Sequence, residues 1–412
     1  MTMMNKSFDV IVFGATGFTG QLVAEYLQSH YGSSSSLRWA MAGRKLSKLA
    51  AVRDAIGAPA DLPLIVADAS DPTALQGVAK QTKVVLTTVG PYQLHGEPLL
   101  AACVAAGTDY VDLCGEPGWM AQMIAKYDMA AKASGARIVF SCGFDSIPFD
   151  LGVVFLQAES MRRFGVPCKT VHGRVRRLKG TASGGTVASL LATVEAMGRD
   201  PTLAAVMANP FALTPGFTGP PQPAGDAAIH DELAQAWAGP FVMAMINTKN
   251  VHRTNALLGH AFGTDFVYDE MMLTGKGRSG ELRARGLARN NRWQNLALGF
   301  APARALLRRF VLPKPGEGPS KEARENGFYD LQFIGQTADG KTLRASVKGD
   351  RDPGYGSTSK MIAQAALCLA EDLWGDQMTG GVWTPGAAMG LVLIERLRAH
   401  AGLQFAIDDE AP

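Results

Sequence analysis

One short run restricts this chain more than any other. Phe8–Phe13 is apolar and rich in β-branched residues, which reads as a buried strand. It leads directly into Gly14-Ala15-Thr16-Gly17-Phe18-Thr19-Gly20, and residues 21–28 then follow with the apolar spacing of a helix. A strand, a glycine turn and a helix in that order form a phosphate-binding device. Gly14 permits the tight turn, Gly17 has no Cβ to hold a pyrophosphate away from the backbone, and Gly20 lets helix and strand pack closely. The helix start then offers unpaired N–H groups to an anion. Thr16, Phe18 and Thr19 fall inside the same turn and are assigned to the cofactor with the glycines. A glycine triplet is a weak signal by itself, and its flanking elements are what make this one specific.

Further short apolar strands are expected at 37–42, 64–67, 84–89, 110–113 and 138–141, with helical patterns between them, such as 98–106 and 119–133. Such alternation implies parallel βαβ units with right-handed crossovers, hence a doubly wound α/β domain over residues 1–150. Carboxyl ends of strands line the ligand crevice of such a sheet, so the residues there are the candidate site. The second strand ends in Ala42-Gly43-Arg44-Lys45 and has no acid to hold a ribose 2′-hydroxyl. Arg44 and Lys45 suit a 2′-phosphate instead, which favours NADP over NAD. Asp68 follows the third strand and suits either the adenine amine or a helix cap, with Asp71-Pro72 reading as cap and first helical residue. Thr88, Gly90 and Pro91 follow the fourth strand and would shape a loop beneath the nicotinamide ribose, which brings Tyr92 and His95 towards the reacting end. After the sixth strand, Cys142, Gly143, Phe144 and Asp145 form a wall, and Asp145 or Ser146 is placed to cap the next helix. Tyr92 is the candidate proton donor and Asp145 its orienting group.

The motifs D-V-I-V-F-G-A-T-G-F-T-G from Asp9, A-G-R from Ala42, V-G-P-Y from Val89, Y-V-D-L-C-G-E from Tyr110, G-F-D-S-I-P-F-D-L-G from Gly143 and S-G-G-T from Ser183 together resemble the saccharopine dehydrogenase-like oxidoreductases. The match is strongest to the trans-acting enoyl reductase branch, which G-G-V-W-T-P and A-M-G-L-V-L-I-E-R-L-R near the chain end also resemble. The resemblance implies a Rossmann domain for a nicotinamide cofactor, a second α+β domain and a lipid-type substrate. The corresponding activity is NADPH-dependent reduction of an enoyl or keto group on a small-molecule or acyl-thioester substrate. Two rival readings are a saccharopine-type amino-acid dehydrogenase and a non-catalytic nucleotide-binding scaffold at a lipid surface. No arginine set suited to a dicarboxylate amino acid is evident.

Residues 151–412 read as a substrate and dimerisation domain built around a mainly antiparallel sheet, with C-terminal helices packing back on the first domain and a homodimer as its assembly. A cation-rich strand is expected at 169–180, an apolar helix at 187–197, a hairpin at 328–335 and 342–348 turned by Asp339-Gly340, and a final helix at 385–400. Residues 209–225 are Pro- and Gly-rich and read as a mobile loop. Charge locates another feature. Residues 276–314 hold ten cations and one acid, a net +9, whereas the whole chain is only +3. Trp293, Leu296 and Leu298 interleave with these cations, which suits an acidic carrier protein or an anionic membrane surface. No nucleic-acid recognition motif accompanies them. Five cysteines without a C-x-x-C spacing argue against a disulfide framework or a zinc site, so no metal is expected. The polar start carries no signal-peptide pattern, and the expected location is the cytoplasm, peripheral to the inner face of a membrane.

Overall fold

A computed structural model describes residues 6–32, 36–180, 184–299, 318–373 and 378–408. Two seven-stranded sheets organise it. The first contains β1 (Phe8–Phe13), β2 (Trp39–Gly43), β3 (Leu64–Val66), β4 (Thr82–Thr87), β5 (Asp109–Val111) and β6 (Arg137–Val139). The second contains β7 (Cys168–Lys179), β8 (Ile229–Asp231), β9 (Ala236–Pro240), β10 (Val267–Gly275), β11 (Phe328–Thr337), β12 (Thr342–Gly349) and β14 (Leu403–Ile407), while β13 (Gly381–Trp383) returns to the first.

The first sheet runs β13-β6-β5-β4-β1-β2-β3 with every pair parallel, a Rossmann order extended by one strand from the chain end. Its central strands read as apolar runs because helices cover both faces: Ile11, Val12, Val84, Val85 and Leu86 are all fully buried. The second sheet runs β14-β12-β11-β7-β10-β9-β8 and is antiparallel except for β7 beside β10. Both architectures expected from the sequence are therefore present.

The helix Ile147–Phe164 joins the two sheets. Gly152 lies so close to β11 that a Cβ there would sit 2.3 Å from the ring of Phe333. Ser146 stands at the cap position, but its hydroxyl is spent across the domain junction, accepting from Asn250 Nδ2 at 2.7 Å and donating to Asn247 Oδ1 at 3.3 Å. Asn247 and Asn250 belong to the helix Ala244–Leu257, whose Thr254 also donates to Asp150 at 2.6 Å. Burial lifts the Asp150 carboxyl to about 7.

Several local expectations shift. The first helix begins at Phe18, with Gly17 as its cap. The final helix is broken: Pro385–Ala388 and Gly390–Arg396 are separate because Gly390 takes φ +46°. Residues 209–225 are irregular but packed, with Phe211 and Leu213 buried and Arg253 Nη1 donating to the Leu213 carbonyl at 2.5 Å. The helix Thr358–Leu367 is bonded to the first helix: Gln364 Nε2 donates to the hydroxyls of Tyr26 and Tyr31 at 2.7 and 2.9 Å.

Candidate active site

The carboxyl ends of β1, β2, β4, β5 and β6 open into a cleft of about 1420 Å³, closed on its far side by the second domain. The glycine turn forms its floor, and its three glycines are required for different reasons. Gly14 takes φ +90°, and a Cβ there would lie 2.6 Å from Val89 Cγ2. A Cβ on Gly20 would lie 2.2 Å from the Gly14 carbonyl oxygen, so helix and turn could not close. Gly17 is extended at φ −77° and ψ 162°, and the only atom near an added Cβ is the Gly14 oxygen at 3.3 Å. Its missing side chain therefore serves the cleft more than the fold. The first helical hydrogen bond runs from Gln21 N to Gly17 O at 2.9 Å, which leaves the amides of Phe18, Thr19 and Gly20 without intrahelical acceptors. That arrangement fits a pyrophosphate.

Arg44 and Lys48 line the cleft from an exposed helix start, with Asp68 beside them. Asp68 Oδ1 accepts from the Ser70 amide and hydroxyl at 2.9 and 2.7 Å, and these bonds hold its carboxyl below the usual range. Asp71 is the helix cap, accepting from Thr73 N and Ala74 N at 2.9 and 3.1 Å. Lys45 is absent from the cleft wall and stands at the N-terminal boundary of the helix Leu46–Ala55 without a side-chain cap bond, whereas Lys48, one helical turn further on, reaches the wall.

Thr88 and Gly90 line the middle of the cleft, and the Gly90–Pro91 peptide is cis. Thr88 Oγ1 donates to the Gly14 carbonyl at 3.3 Å, tying this loop to the glycine turn. Tyr92 opens a one-turn helix whose amides are held by a buried carboxylate: Glu116 accepts from Tyr92 N and Gln93 N at 2.9 and 2.8 Å. Glu116 also accepts from Ser189 Oγ at 2.7 Å, on the second-domain helix Gly184–Arg199. The Tyr92 ring reaches the cleft wall, but its hydroxyl is fully engaged. It donates to the Thr87 carbonyl at 3.2 Å and accepts from Leu113 N at 3.0 Å. Burial pushes this phenol far above its ordinary range. The geometry makes Tyr92 a brace between β4 and the loop after β5.

A second buried carboxylate shapes the wall after β6. Asp112 Oδ1 accepts from Cys114 N and Ser141 N, both at 2.9 Å, and Ser141 is held at φ 62°. Burial raises the Asp112 carboxyl to about 7. Cys142 lies behind the wall, fully buried. Gly143 and Phe144 reach the cleft. A Cβ on Gly143 would meet Leu113 Cδ2 at 2.9 Å, and Phe144 N donates to Thr358 Oγ1 at 3.0 Å. Asp145 follows, half-buried and facing the cavity.

The opposite wall was largely silent in the sequence. Phe241, Val242, Met243, Met245 and Ile246 line it between β9 and the helix Ala244–Leu257, and Leu190 joins them. The turn Pro353–Ser357 contributes Tyr355, whose ring packs edge-on against Phe18 at 4.8 Å. No pattern in the sequence marks that contact, because glycine followed by an aromatic residue recurs elsewhere, as at Gly143-Phe144 and Gly327-Phe328. Among the described residues, no group of His, Cys, Asp and Glu side chains is arranged to hold a metal ion.

A glycine turn with free amides, two cations on the cleft wall after β2 and a second domain closing the cleft define an NADP-dependent oxidoreductase. Residues 10–139 match the model of the saccharopine dehydrogenase NADP-binding domain. A putative trans-acting enoyl reductase of Mycobacterium tuberculosis is 41% identical over 411 residues, covering 97% of each chain. Trans-acting enoyl reductases of Mycobacterium bovis and Mycobacterium ulcerans are 39% and 37% identical, each over 96% of this chain and 97% of theirs. The chain belongs to the trans-acting enoyl reductase family. Among solved structures, apo saccharopine dehydrogenase (L-Glu forming) from Saccharomyces cerevisiae shares the fold, with a TM-score of 0.55 and 14% identity, covering 97% of this chain and 100% of that one.

Proposed function

We propose that the protein reduces the carbon–carbon double bond of an enoyl thioester with an apolar acyl chain, using NADPH. The observation that carries this reading is the distribution of charge in the cleft. Among the described lining residues, the only Lys or Arg side chains are Arg44 and Lys48, both at the adenosine end. The wall opposite the glycine turn is Phe241, Val242, Met243, Met245, Ile246 and Leu190. A dicarboxylate amino acid needs cationic partners for its carboxylates, and this wall has none, whereas an acyl chain gains by burial there.

NADPH supplies a hydride when bound, and the chain's own residues hold the reactants. The amides of Phe18 to Gly20 take the pyrophosphate, Arg44 and Lys48 the 2′-phosphate, and Thr88 and Gly90 form the floor under the nicotinamide ribose, with Pro91 setting the turn behind them. Gly143, Phe144 and Asp145 wall the reacting end, with Asp145 orienting a proton-bearing group. Closure by the Gly184–Arg199 helix, tied down through Ser189 and Glu116, keeps water from the acceptor carbon. The test is loss of NADPH absorbance with trans-2-dodecenoyl-CoA and with saccharopine. Turnover of the enoyl thioester supports the reading, and turnover of saccharopine alone rejects it.

The partner forms part of the same reading. The helix Gly277–Gly299 turns Arg278, Arg285, Arg289 and Arg292 to solvent. Leu282, Trp293 and Leu296, exposed by 62%, 66% and 67%, lie along the same stripe. A Cβ on Gly239 of β9 would lie 3.1 Å from the Ala284 carbonyl, so this helix is seated next to the strand that leads into the cleft rim at Val242. A cationic stripe beside the opening suits an acidic carrier protein that presents its acyl group to the cleft. Leu298, Arg304, Arg308, Arg309 and Lys314 of the same segment belong to this sequence expectation, but the charges after 299 lie outside the described residues. Among the described residues, no helix is long and apolar enough to cross a membrane.

A further inference from the structure

Reduction of an enoyl thioester leaves an enolate that needs a proton at its α-carbon, and the hydroxyl groups of the cleft differ in whether their hydrogens are already committed. Tyr92 donates to the Thr87 carbonyl. Ser141 Oγ donates to the Cys114 carbonyl at 2.6 Å, and Ser189 Oγ to Glu116. Thr358 Oγ1 donates to the Pro353 carbonyl at 2.7 Å. His95 lies beside Asp68, at the adenosine end.

Tyr355 differs from all of these. Its oxygen accepts from the amide of Gly184 at 2.8 Å, and its hydrogen has no acceptor among the described residues. The residue is fixed from every other direction. Asp352 accepts from its backbone amide at 2.9 Å, and its ring packs on Phe18. Phe18 belongs to the glycine turn, and Thr358, three residues beyond Tyr355, accepts from Phe144 N, so Tyr355 lines the cavity between that turn and the wall at Gly143 to Asp145. Gly184 is the first residue of a sixteen-residue helix. Its amide points at the phenolic oxygen, and the partial positive charge of that helix end stabilises an anion there.

We propose that Tyr355 is the catalytic proton donor, an inference that rests on the enoyl reductase reading. Hydride adds to the β-carbon of the acyl group, and the π electrons move through the α-carbon onto the thioester oxygen. The enolate then takes the phenolic hydrogen: the Tyr355 O–H bond breaks, a C–H bond forms at the α-carbon, and the electron pair stays on the phenolate oxygen. The Gly184 amide, already bonded to that oxygen, holds the phenolate without rearrangement. Water returns the proton when the cleft opens.

Tyr355→Phe retains the ring against Phe18 and removes only the hydroxyl. NADPH binding, read by its fluorescence, is expected to be unchanged in the variant. Reduction of trans-2-dodecenoyl-CoA is expected to fall by about 10²- to 10⁴-fold, the range of a lost general acid. A rate within threefold of the parent overturns the assignment. A second readout does not depend on turnover. In protein labelled with [ζ-¹³C]tyrosine, the signal missing from Tyr355→Phe should move when dodecanoyl-CoA is added to the NADP-loaded protein, and an unmoved signal also overturns it. If the parent protein binds NADPH but reduces no enoyl thioester, the reductase reading itself fails and this role falls with it. A parent that turns over beside an equally active variant refutes Tyr355 alone.

Discussion

Alanine at Gly17 and alanine at Gly20 should have opposite consequences, although the two glycines stand three residues apart in one turn. At Gly17 the backbone is extended, in a region open to any residue. The added methyl group meets only the Gly14 oxygen at 3.3 Å, which a shift of a few tenths of an ångström relieves. Alanine also narrows the unfolded ensemble by about 0.4–1 kcal/mol, so the net effect on stability should stay within about 1 kcal/mol of zero. The same methyl stands where the pyrophosphate must approach. Loss of one or two charged hydrogen bonds at about 1.5–3 kcal/mol each predicts at least a tenfold weaker grip on NADPH. At Gly20 the methyl would lie 2.2, 2.8 and 2.9 Å from backbone atoms of Gly14 and Ala15, none of which can rotate away. The helix must move off β1, a core disruption costing several kcal/mol, on the order of 3. Thermal melts with and without NADPH, together with fluorescence titration, separate the two. Gly17→Ala should melt like the parent but lose the rise in melting temperature that NADPH confers, whereas Gly20→Ala should melt early in either condition. A Gly17→Ala protein that binds NADPH normally, or a Gly20→Ala protein that melts like the parent, would refute this division of roles.

Arg44→Ala should weaken NADPH by about 10- to 100-fold through loss of a charge-assisted phosphate contact, and NADH by less than threefold; equal losses in isothermal titration would remove Arg44 from the 2′-phosphate. Glu270 is buried, accepts from Asn247 and Tyr268 at 2.9 and 2.8 Å, and is lifted by burial from 4.5 to about 8. The folded protein therefore keeps a proton between those values that the unfolded chain releases, so this group's contribution is fully present below about pH 4.5 and is lost as pH rises to 8. Glu270→Gln should flatten the fall in denaturant-measured stability between pH 6 and 8 by on the order of 2 kcal/mol, and an unchanged slope would contradict the account. Arg285→Glu with Arg289→Glu and Arg292→Glu should raise the half-saturating concentration of an acyl-carrier substrate severalfold and leave turnover of the CoA thioester intact. If these changes instead abolish flotation with anionic vesicles and spare the carrier, the membrane is the partner.

The first domain was legible because parallel strands buried on both faces must be continuous apolar runs, and because a glycine turn has few other uses between a strand and a helix. Boundaries moved where local signals compete. Thr88 and Val89 have strand-like side chains, yet β4 ends at Thr87, where the chain must turn into the cleft. Asp68 and Asp71 both resemble caps, and only the amides they face distinguish them. The second wall was hidden for a different reason. Phe241, Val242 and Met245 have the composition of any core segment, and only the sheet topology shows that Val242 and Met245 are left exposed at a rim. Tyr92 has the place in the sequence of a proton donor, but two backbone groups claim its hydroxyl. No linear pattern records that pairing.

The strand Gly381–Trp383 bears on how the molecule is assembled during synthesis. Val382 pairs with Ile138, so the edge of the nucleotide-binding sheet is sealed by a segment made long after β6. Until then β6 presents an unpaired edge, the kind of surface that recruits other chains. Closing it requires a contact between segments far apart in sequence, Ile138 and Val382, which is slow to form. The nascent protein thus holds an open sheet edge while the residues between β6 and Gly381 are translated, and a chain truncated before residue 381 should be prone to aggregation rather than a functional nucleotide-binding fragment.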